Sequence, residues 1–247
     1  MIDINNLKKS FRNGKELHEV LKNITVKVES GKLTALLGVN GAGKTTLLRI
    51  IAGLHDIDDG DLLINGEPHT SKTFEQRKRI GVLFGGDMGL YQRLTAREHL
   101  EYYGHLYGVN ESTLVERIIL LQKDFQMETY MDRRVKHFSK GMRQKVAISK
   151  TMIHDPDIYL FDEPTTGLDI AASNMFKEKV SELKTKNKTV LFSTHNMDEA
   201  ALCDNVILLH QGLIRYKGSL NQLYIKHGHQ DLNKIVMNLI KERESFL

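Results

Sequence analysis

The chain has 247 residues, of which 40% are hydrophobic and 27% charged, a balance typical of a globular protein with a packed core rather than of a disordered or fibrous chain. Its apolar runs, such as residues 118–121 and 206–209, are far shorter than the roughly 18 residues that a membrane-spanning helix requires. The formal charge of +4 is spread along the chain, and the basic cluster at residues 77–79 has no interleaved aromatic residues, which favours a solvated helix face over a nucleic-acid-binding surface.

Two further features bear on the cellular compartment. The N-terminal segment MIDINNLKKSF lacks the apolar stretch and small-residue cleavage site of a secretory signal, so we expect a cytoplasmic protein. The single cysteine, Cys203, cannot form an internal disulfide, which agrees with a reducing compartment. We expect Cys203 to be a buried, unreactive thiol.

The N-terminal part of the chain predicts strands, because Val, Ile, Leu and Thr alternate or form short apolar runs at residues 2–7, 17–28 and 32–38. The third run ends at a glycine-rich turn, which leads into a helix predicted over residues 44–51. A further strand at 61–64 should close in a tight turn, because the Asn-Gly pair that follows it tolerates positive φ angles.

Helices and strands then alternate along the chain. From residue 95 to about 153 the apolar residues take helical spacing, which predicts a helical lobe. Strand-like runs return at 158–161, 190–193 and 206–210, with a helix predicted at 171–186. This alternation favours an α/β fold with a largely parallel sheet covered on both faces. The last 30 residues, from Gly218, predict one or two amphipathic helices that serve packing or a dimer contact.

The glycine-rich turn reads GVNGAGKT and matches the phosphate-loop pattern G-x-x-x-x-G-K-[ST] between a predicted strand and a predicted helix. Glycines let several backbone N–H donors converge on a phosphate, and the helix N-terminus adds its positive end. We expect Lys44 to reach the β- and γ-phosphates of ATP and the Thr45 hydroxyl to bind Mg²⁺. The predicted nucleotide-binding residues are Gly38, Val39, Asn40, Gly41, Ala42, Gly43, Lys44, Thr45 and Thr46.

Taken alone, this loop indicates only a nucleoside triphosphate, because kinases, GTPases and many ATPases share it. A second motif, which contains two acidic residues, indicates which reaction the bound triphosphate undergoes. The run IYLFDE predicts an apolar strand that ends in Asp162 and Glu163, at the sheet edge where ligands bind in α/β folds. Asp162 is expected to hold Mg²⁺, through a water, and Glu163 to act as general base on the attacking water. The alternative is a helix cap and a surface acid before Pro164.

A histidine follows the next predicted strand. His195 comes directly after Ser193-Thr194, so it could hydrogen-bond the γ-phosphate or the nucleophilic water if the strand ends converge. A lone histidine at a strand end is more often structural, and the functional interpretation of His195 depends on the two motifs already placed.

The segment FSKGMRQ at residues 138–144 begins a helix predicted to run through Met152, and here the sequence resembles the ATP-binding-cassette (ABC) family. In that family the corresponding segment reads L-S-G-G-Q and binds the γ-phosphate of the nucleotide held by the opposite protomer. The resemblance implies that two chains complete two sites, with Ser139, Lys140, Gly141 and Met142 as the signature acting in trans.

The match follows the family order over roughly residues 1–220. After the acidic strand it includes Gly167-Leu168-Asp169, where Asp169 corresponds to the D-loop. Phe11 occupies the position where the family stacks an aromatic ring on adenine, although a core phenylalanine is the alternative interpretation.

The resemblance also implies a fold and a domain organisation. The fold is a P-loop NTPase ABC cassette with a RecA-like core sheet, an N-terminal antiparallel β layer and a helical lobe of about 86–153 inserted in the core. Residues 1–220 would form the nucleotide-binding domain, and residues 221–247 a C-terminal helical tail.

Two departures from the family pattern are visible. Lys140 and Met142 replace the Gly and Gln of the commonest signature, while Ser139 and Gly141 are kept. At Gly85 most relatives carry a glutamine that touches Mg²⁺ and the attacking water. Gln92 is a candidate substitute, but an exposed loop residue is the favoured interpretation.

The segment GVLFGG at 81–86, together with Leu90-Tyr91, Leu94-Thr95 and the signature, is most similar to the sodium-extruding (NatA-type) exporters and to related drug or antibiotic exporters. The resemblance implies an ATPase homodimer that closes over two MgATP and drives a transmembrane permease subunit on a separate chain, at the inner face of the cell membrane. We expect no nucleic acid partner.

A groove for the cytoplasmic helix of that partner is predicted between residues 85 and 107, at Tyr91, Tyr102, Tyr103 and Tyr107. The alternative for these tyrosines is an ordinary lobe core. Two other functions stay open: a non-transport ABC ATPase that acts on DNA or ribosomes, and a phosphate-loop kinase.

Overall fold

The computed structural model describes residues 1–14, 16–69, 73–85, 89–228 and 231–241. Gly86, which belongs to the GVLFGG motif, and residues 229–230 and 242–247 of the expected tail lie outside these ranges. The strands are β1 (Ile2–Asn13), β2 (Glu16–Val28), β3 (Leu33–Leu37), β4 (Asp59–Ile64), β5 (Glu67–Pro68), β6 (Ile80–Leu83), β7 (Ile158–Asp162), β8 (Thr189–Thr194), β9 (Asn205–His210) and β10 (Leu213–Ser219).

The helices are α1 (Lys44–Ile51), α2 (Phe74–Lys78), α3 (Ala96–Leu106), α4 (Glu111–Asp124), α5 (Lys140–Met152), α6 (Ile170–Thr185), α7 (Met197–Ala200), α8 (Leu220–His227) and α9 (Leu232–Lys241), with a short 3-10 helix at Val135–His137. Within the described ranges, no helix combines the length and apolar character needed to cross a bilayer.

A mixed sheet with a parallel centre forms the middle of the molecule, in the strand order β10-β9-β3-β8-β7-β6. Every residue of β3, β7 and β8 is buried, as expected for parallel strands covered on both faces. Only β10 pairs antiparallel, at the edge beside β9. The parallel strands therefore direct their carboxyl ends to one edge of the sheet.

The second sheet is antiparallel and has the order β2-β1-β4-β5. Asn65 and Gly66 take φ angles of 53° and 84° in the turn from β4 to β5, which confirms the predicted tight turn. Ile2 and Ile4 of β1 are fully buried and belong to one core cluster with Leu47 and Leu48 of α1. This layer therefore covers the face of the central sheet on which α1 packs.

The helices α3 to α9 contribute residues to the core on the other face, whereas α2 has no buried residue. Leu100 of α3, Ile148 of α5 and Phe176 of α6 share a second core cluster with the central strands. Leu223 of α8 and Ile235 of α9 belong to the same cluster, so both C-terminal helices pack on the core. The three helices α3, α4 and α5 lie between β6 and β7 in the chain, in the region where the sequence predicts a helical lobe.

Three strands were not predicted from the sequence: the two-residue strand β5, β6 and β10. The strand β6 pairs parallel to β7 at one edge of the sheet, whereas β10 forms the opposite edge. The predicted burial of Cys203 is confirmed, since its exposed fraction is 6%. Burial also raises the pKa of this thiol, so the reactive thiolate is disfavoured.

Candidate active site

The glycine-rich loop connects the buried end of β3 to the first turn of α1. Gly43 caps this helix with a φ of 106°, and a Cβ atom there would lie 2.8 Å from Leu21 Cδ2 and 3.1 Å from the Val20 carbonyl oxygen. Both the backbone angle and the close approach therefore require glycine. The loop borders a cavity of about 330 Å³, which is lined by residues 40–46, Val20 and Glu163.

Lys44 is buried, with 6% of its surface exposed. Its ammonium group donates hydrogen bonds to the carbonyl oxygens of Gly38, at 2.7 Å, and Val39, at 3.2 Å. Burial lowers the pKa of Lys44, and the nearby carboxylates of Glu163 and Asp162 oppose this shift. The loop thus holds a partly desolvated cation, whose interaction with an anion is stronger than it would be in water.

Asp162 is the last residue of β7 and is buried. Its two carboxylate oxygens accept hydrogen bonds from the hydroxyls of Thr45, at 2.8 Å, and Ser193, at 2.5 Å. The register between β7 and β8 places Asp162 opposite Ser193. Thr45 and Asp162, the two predicted metal ligands, therefore lie side by side and offer the hard oxygen donors that suit Mg²⁺.

Glu163 follows β7 with a φ of 48°, in the left-handed region that costs a residue other than glycine about 1 kcal/mol or more. Its backbone N–H donates to the Ser193 hydroxyl, at 3.0 Å, and to the Ser193 carbonyl oxygen, at 3.2 Å. Its carboxylate lies 3.4 Å from His195 Nδ1 and accepts a 3.4 Å hydrogen bond from Thr166. The hydrogen bonds to Ser193 hold the strained backbone in place.

Glu163 also borders three polar cavities at this edge of the sheet. The first is the phosphate-loop cavity. The second, of about 420 Å³, is lined by Thr45, Gly85, Lys140, Gln144, Asp162, Glu163 and Thr166. The third, of about 430 Å³, extends from Glu163 past His195 to Asp169. A carboxylate in this position can face an anion at the loop, a metal at Asp162 and the imidazole at the same time.

The signature residues lie at the start of α5. Ser139 caps this helix, and its hydroxyl accepts a 3.2 Å hydrogen bond from the Met142 N–H. Ser139, Gly141 and Met142 do not line the three cavities, whereas Lys140 lines the second one. Lys140 also packs over Gly167, where a Cβ atom would lie 2.6 Å from its Nζ.

The other predicted site residues are more dispersed. Asp169 caps α6 and accepts a 2.8 Å hydrogen bond from the Ala172 N–H. Phe11 is 36% exposed and meets the His55 ring edge-on, with centroids 5.4 Å apart, so it is not a core phenylalanine. Gln92 is exposed and does not line the cavity at Gly85.

The tyrosines of the predicted groove differ in exposure. Tyr91 is 53% exposed and Tyr102 is 45% exposed, and their rings meet edge-on with centroids 6.0 Å apart. Tyr103 and Tyr107 are partly buried, and Tyr107 stacks on His154. The two partly buried rings therefore fit the lobe interpretation better than the other two.

Ser193 and Glu199 are among the polar residues of the site that were not identified from the sequence. Ser193 holds both Asp162 and the Glu163 backbone, and Glu199 accepts hydrogen bonds from Thr165 and Thr194. The available signal was the Ser-Thr pair at the end of the apolar strand β8, because polar side chains buried in a core strand need partners. No local pattern points to Glu199.

Comparisons with known proteins identify the family of this chain. The family model described as ABC transporter matches residues 21–166. The ABC transporter ATP-binding protein NatA of Bacillus subtilis strain 168 is 48% identical over 96% of this chain and 97% of its own length. The ABC-type transporter ATP-binding protein EcsA of the same organism is 36% identical over 95% and 96%.

Solved structures give the same result. The structure of an ATP-binding subunit of an ABC transporter superposes with a TM-score of 0.88 at 31% identity, covering 98% of this chain and 100% of that one. A dimeric post-hydrolysis state of the ATP-binding cassette MJ0796 bound to ADP and Pi has a TM-score of 0.82 at 25% identity, covering 89% and 99%. The chain belongs to the ABC transporter family and is one of its ATP-binding, ATP-hydrolysing subunits.

Proposed function

We propose that this chain works as a homodimer that closes over two MgATP and drives a transmembrane permease subunit on a separate chain, at the inner face of the cell membrane. The observation that carries the proposal is the position of Glu163, which borders the phosphate loop, the Thr45–Asp162 pair and His195 together. This arrangement supports hydrolysis of a triphosphate bound at the loop.

In this proposal the loop binds the phosphates of ATP through the backbone N–H groups of residues 38–46, and Phe11 contacts the adenine. Lys44 exchanges its bonds to the Gly38 and Val39 carbonyls for the β- and γ-phosphate oxygens. Thr45 and Asp162 hold Mg²⁺, which neutralises charge on the phosphate oxygens when bound.

Glu163 acts as the general base. The attacking water gives its proton to the Glu163 carboxylate while its oxygen bonds to the γ-phosphorus, and the bond from that phosphorus to the ADP oxygen breaks. His195, 3.4 Å from Glu163, is placed to orient the water or the γ-phosphate. The products are ADP and phosphate.

The placement of the signature supports the proposed dimer. Ser139 and Gly141 do not line the cavities at their own phosphate loop, so their helix N-terminus is available to a nucleotide on a second copy of the chain. ABC ATP-binding subunits dimerise, as in the cassette bound to ADP and Pi. We assign residues 1–220, with the lobe at 86–153, to the nucleotide-binding domain and 221–247 to a tail.

We further propose export, of the sodium-ion or drug and antibiotic type, as the direction of transport. The NatA relative is 48% identical to this chain, and ATP-binding proteins named for Nod factor export are 35% and 36% identical. Proteins named for maltose import are 33% identical and match over 59% of their own length. Tyr91 and Tyr102, both exposed, are the proposed contacts for the permease.

The test is affinity purification of tagged Glu163→Gln protein from solubilised membranes, followed by mass spectrometry, with a parallel purification after addition of EDTA. A polytopic membrane protein in stoichiometric amount is the expected result. Retention of ribosomes or nucleic acid without a membrane protein would overturn the transport proposal and would favour the non-transport ABC ATPase.

A further inference from the structure

A buried carboxylate lies behind the two loops that carry Glu163 and His195. Glu199 belongs to the short helix α7, and only 5% of its surface is exposed. One carboxylate oxygen accepts a hydrogen bond from the Thr165 hydroxyl, and the other accepts a 2.7 Å hydrogen bond from the Thr194 hydroxyl. The carboxylate therefore joins the segment after β7 to the end of β8.

The two threonines are close in sequence to the reactive groups. Thr165 lies two residues after Glu163, and Thr194 directly precedes His195. Glu199 thus links the two loops close to the point where Glu163 and His195 approach to 3.4 Å. All of these residues border the same cavity of about 430 Å³.

The neighbouring hydrogen bonds show that the Thr194 hydroxyl is the donor in its hydrogen bond to Glu199. The Thr194 hydroxyl accepts a 3.0 Å hydrogen bond from the Asn196 N–H, so its own proton is directed to Glu199. Asn196 also caps α7 by accepting a 2.9 Å hydrogen bond from the Asp198 N–H, which fixes the start of the helix that carries Glu199. An amide at position 199 would present an N–H₂ to one threonine and leave that hydroxyl proton without its acceptor.

We propose that Glu199 is a positioning residue for ATP hydrolysis: through Thr165 and Thr194 it holds the Glu163 and His195 loops at their working separation. It acts on the reaction only through these loops. The inference rests on the proposed roles of Glu163 and His195, and it adds the element that couples them.

The first test is Glu199→Gln, which keeps the size of the side chain. Because a misplacement of about 1 Å can slow a reaction about 100-fold, we expect kcat to fall roughly 10- to 100-fold, while the KM for ATP changes little. Asp198→Asn is the matched control, since it removes the same charge from an exposed position of α7 and should keep the wild-type kcat.

The second test uses the threonine. Thr165→Val removes the hydroxyl and should lower kcat, whereas Thr165→Ser keeps it and should restore kcat to near the wild-type value. Combined with Glu199→Gln, Thr165→Val should lower kcat by less than the product of the two separate losses, because both changes act on hydrogen bonds to the side chain at position 199. This pair carries the test even if Glu199→Gln fails to fold.

Wild-type kcat in folded Glu199→Gln and Thr165→Val would overturn the positioning role, as would fully multiplicative losses in the double variant. The Glu163→Gln protein distinguishes failure of the proposed function from failure of the positioning role of Glu199. If it hydrolyses ATP at the wild-type rate, the proposed function fails; if it is inactive while the Glu199 and Thr165 variants remain fully active, only the positioning role fails.

Discussion

The Thr45 hydroxyl donates a 2.8 Å hydrogen bond to Asp162, which joins the first turn of α1 to the end of β7. This contact places the phosphate loop beside the carboxylates without any residue between them. Because Lys44 and Glu163 flank the two partners in sequence, the same contact fixes where the cation and the proposed general base lie relative to each other.

Replacing Lys44 with methionine should weaken ATP binding roughly 10- to 100-fold, because hydrogen bonds to charged groups contribute about 1.5–3 kcal/mol. Methionine cannot donate the hydrogen bonds that Lys44 makes to the Gly38 and Val39 carbonyl oxygens, so the free energy of unfolding should fall by about 1–3 kcal/mol. Titration with a fluorescent ATP analogue and urea unfolding measure the two quantities. Lys27→Met, at an exposed strand position, is the control, and equal affinities in both variants would contradict the role of Lys44.

Gly85→Gln should lower the Mg²⁺ concentration needed for half-maximal ATPase activity, because it restores the glutamine that touches Mg²⁺ in most relatives. We expect a decrease of roughly 2- to 10-fold, which corresponds to the free energy of one added hydrogen bond, about 0.5–1.5 kcal/mol. The cavity of about 420 Å³ beside Asp162 has room for the amide. Gly85→Ala is the matched control, because its Cβ meets the same carbonyl oxygen of Asp162 at 3.3 Å but brings no amide. If the two variants require the same Mg²⁺ concentration, a side chain at position 85 does not contribute to Mg²⁺ binding.

His154 should make the fold sensitive to acid. Burial against Tyr107, with ring centroids 3.9 Å apart, lowers the pKa of His154 from 6.5 to about 4, and Arg117 acts in the same direction. The unfolded chain therefore takes up a proton between pH 6.5 and 4 that the folded protein does not, so the free energy of unfolding falls as the pH falls through this window. At pH 5 the loss is about 2 kcal/mol relative to pH 8.

Urea unfolding at the two pH values measures this loss. His154→Phe keeps the stacking on Tyr107 and has no proton to take up, so its loss between pH 8 and pH 5 should be smaller than the wild-type loss by about 2 kcal/mol. Equal pH dependence in the two proteins would show that His154 is not the group responsible.

The sequence predicted those parts of the site that depend on local pattern. The loop before Lys44 and the acids after β7 each combine an apolar strand with a polar motif, and the structure begins α1 at Lys44 and ends β7 at Asp162, next to the motif residues. The convergence of Glu163 and His195 was expected from the general rule that parallel strands end at one edge.

The remaining features depend on long-range contacts. The strand β10 has only half-buried positions apart from one exposed residue, and it includes Arg215 and Lys217, so it lacks the apolar run that marks the central strands. Glu199 reaches Thr165 only because β7 and β8 pair in the register that sets Asp162 opposite Ser193. A register of this kind is decided by packing of the whole sheet, and no short segment encodes it.

The most direct test of the account is the mass of Glu163→Gln protein in solution, measured by light scattering with MgATP and with MgADP. If Glu163 is the general base, as proposed, its replacement should stop turnover but leave the ATP site intact. We predict a species of twice the chain mass with MgATP, a single chain with MgADP, and an ATPase rate at least about 100-fold below wild type. A variant that binds MgATP and remains a single chain, or that hydrolyses ATP at the wild-type rate, would contradict the central claim.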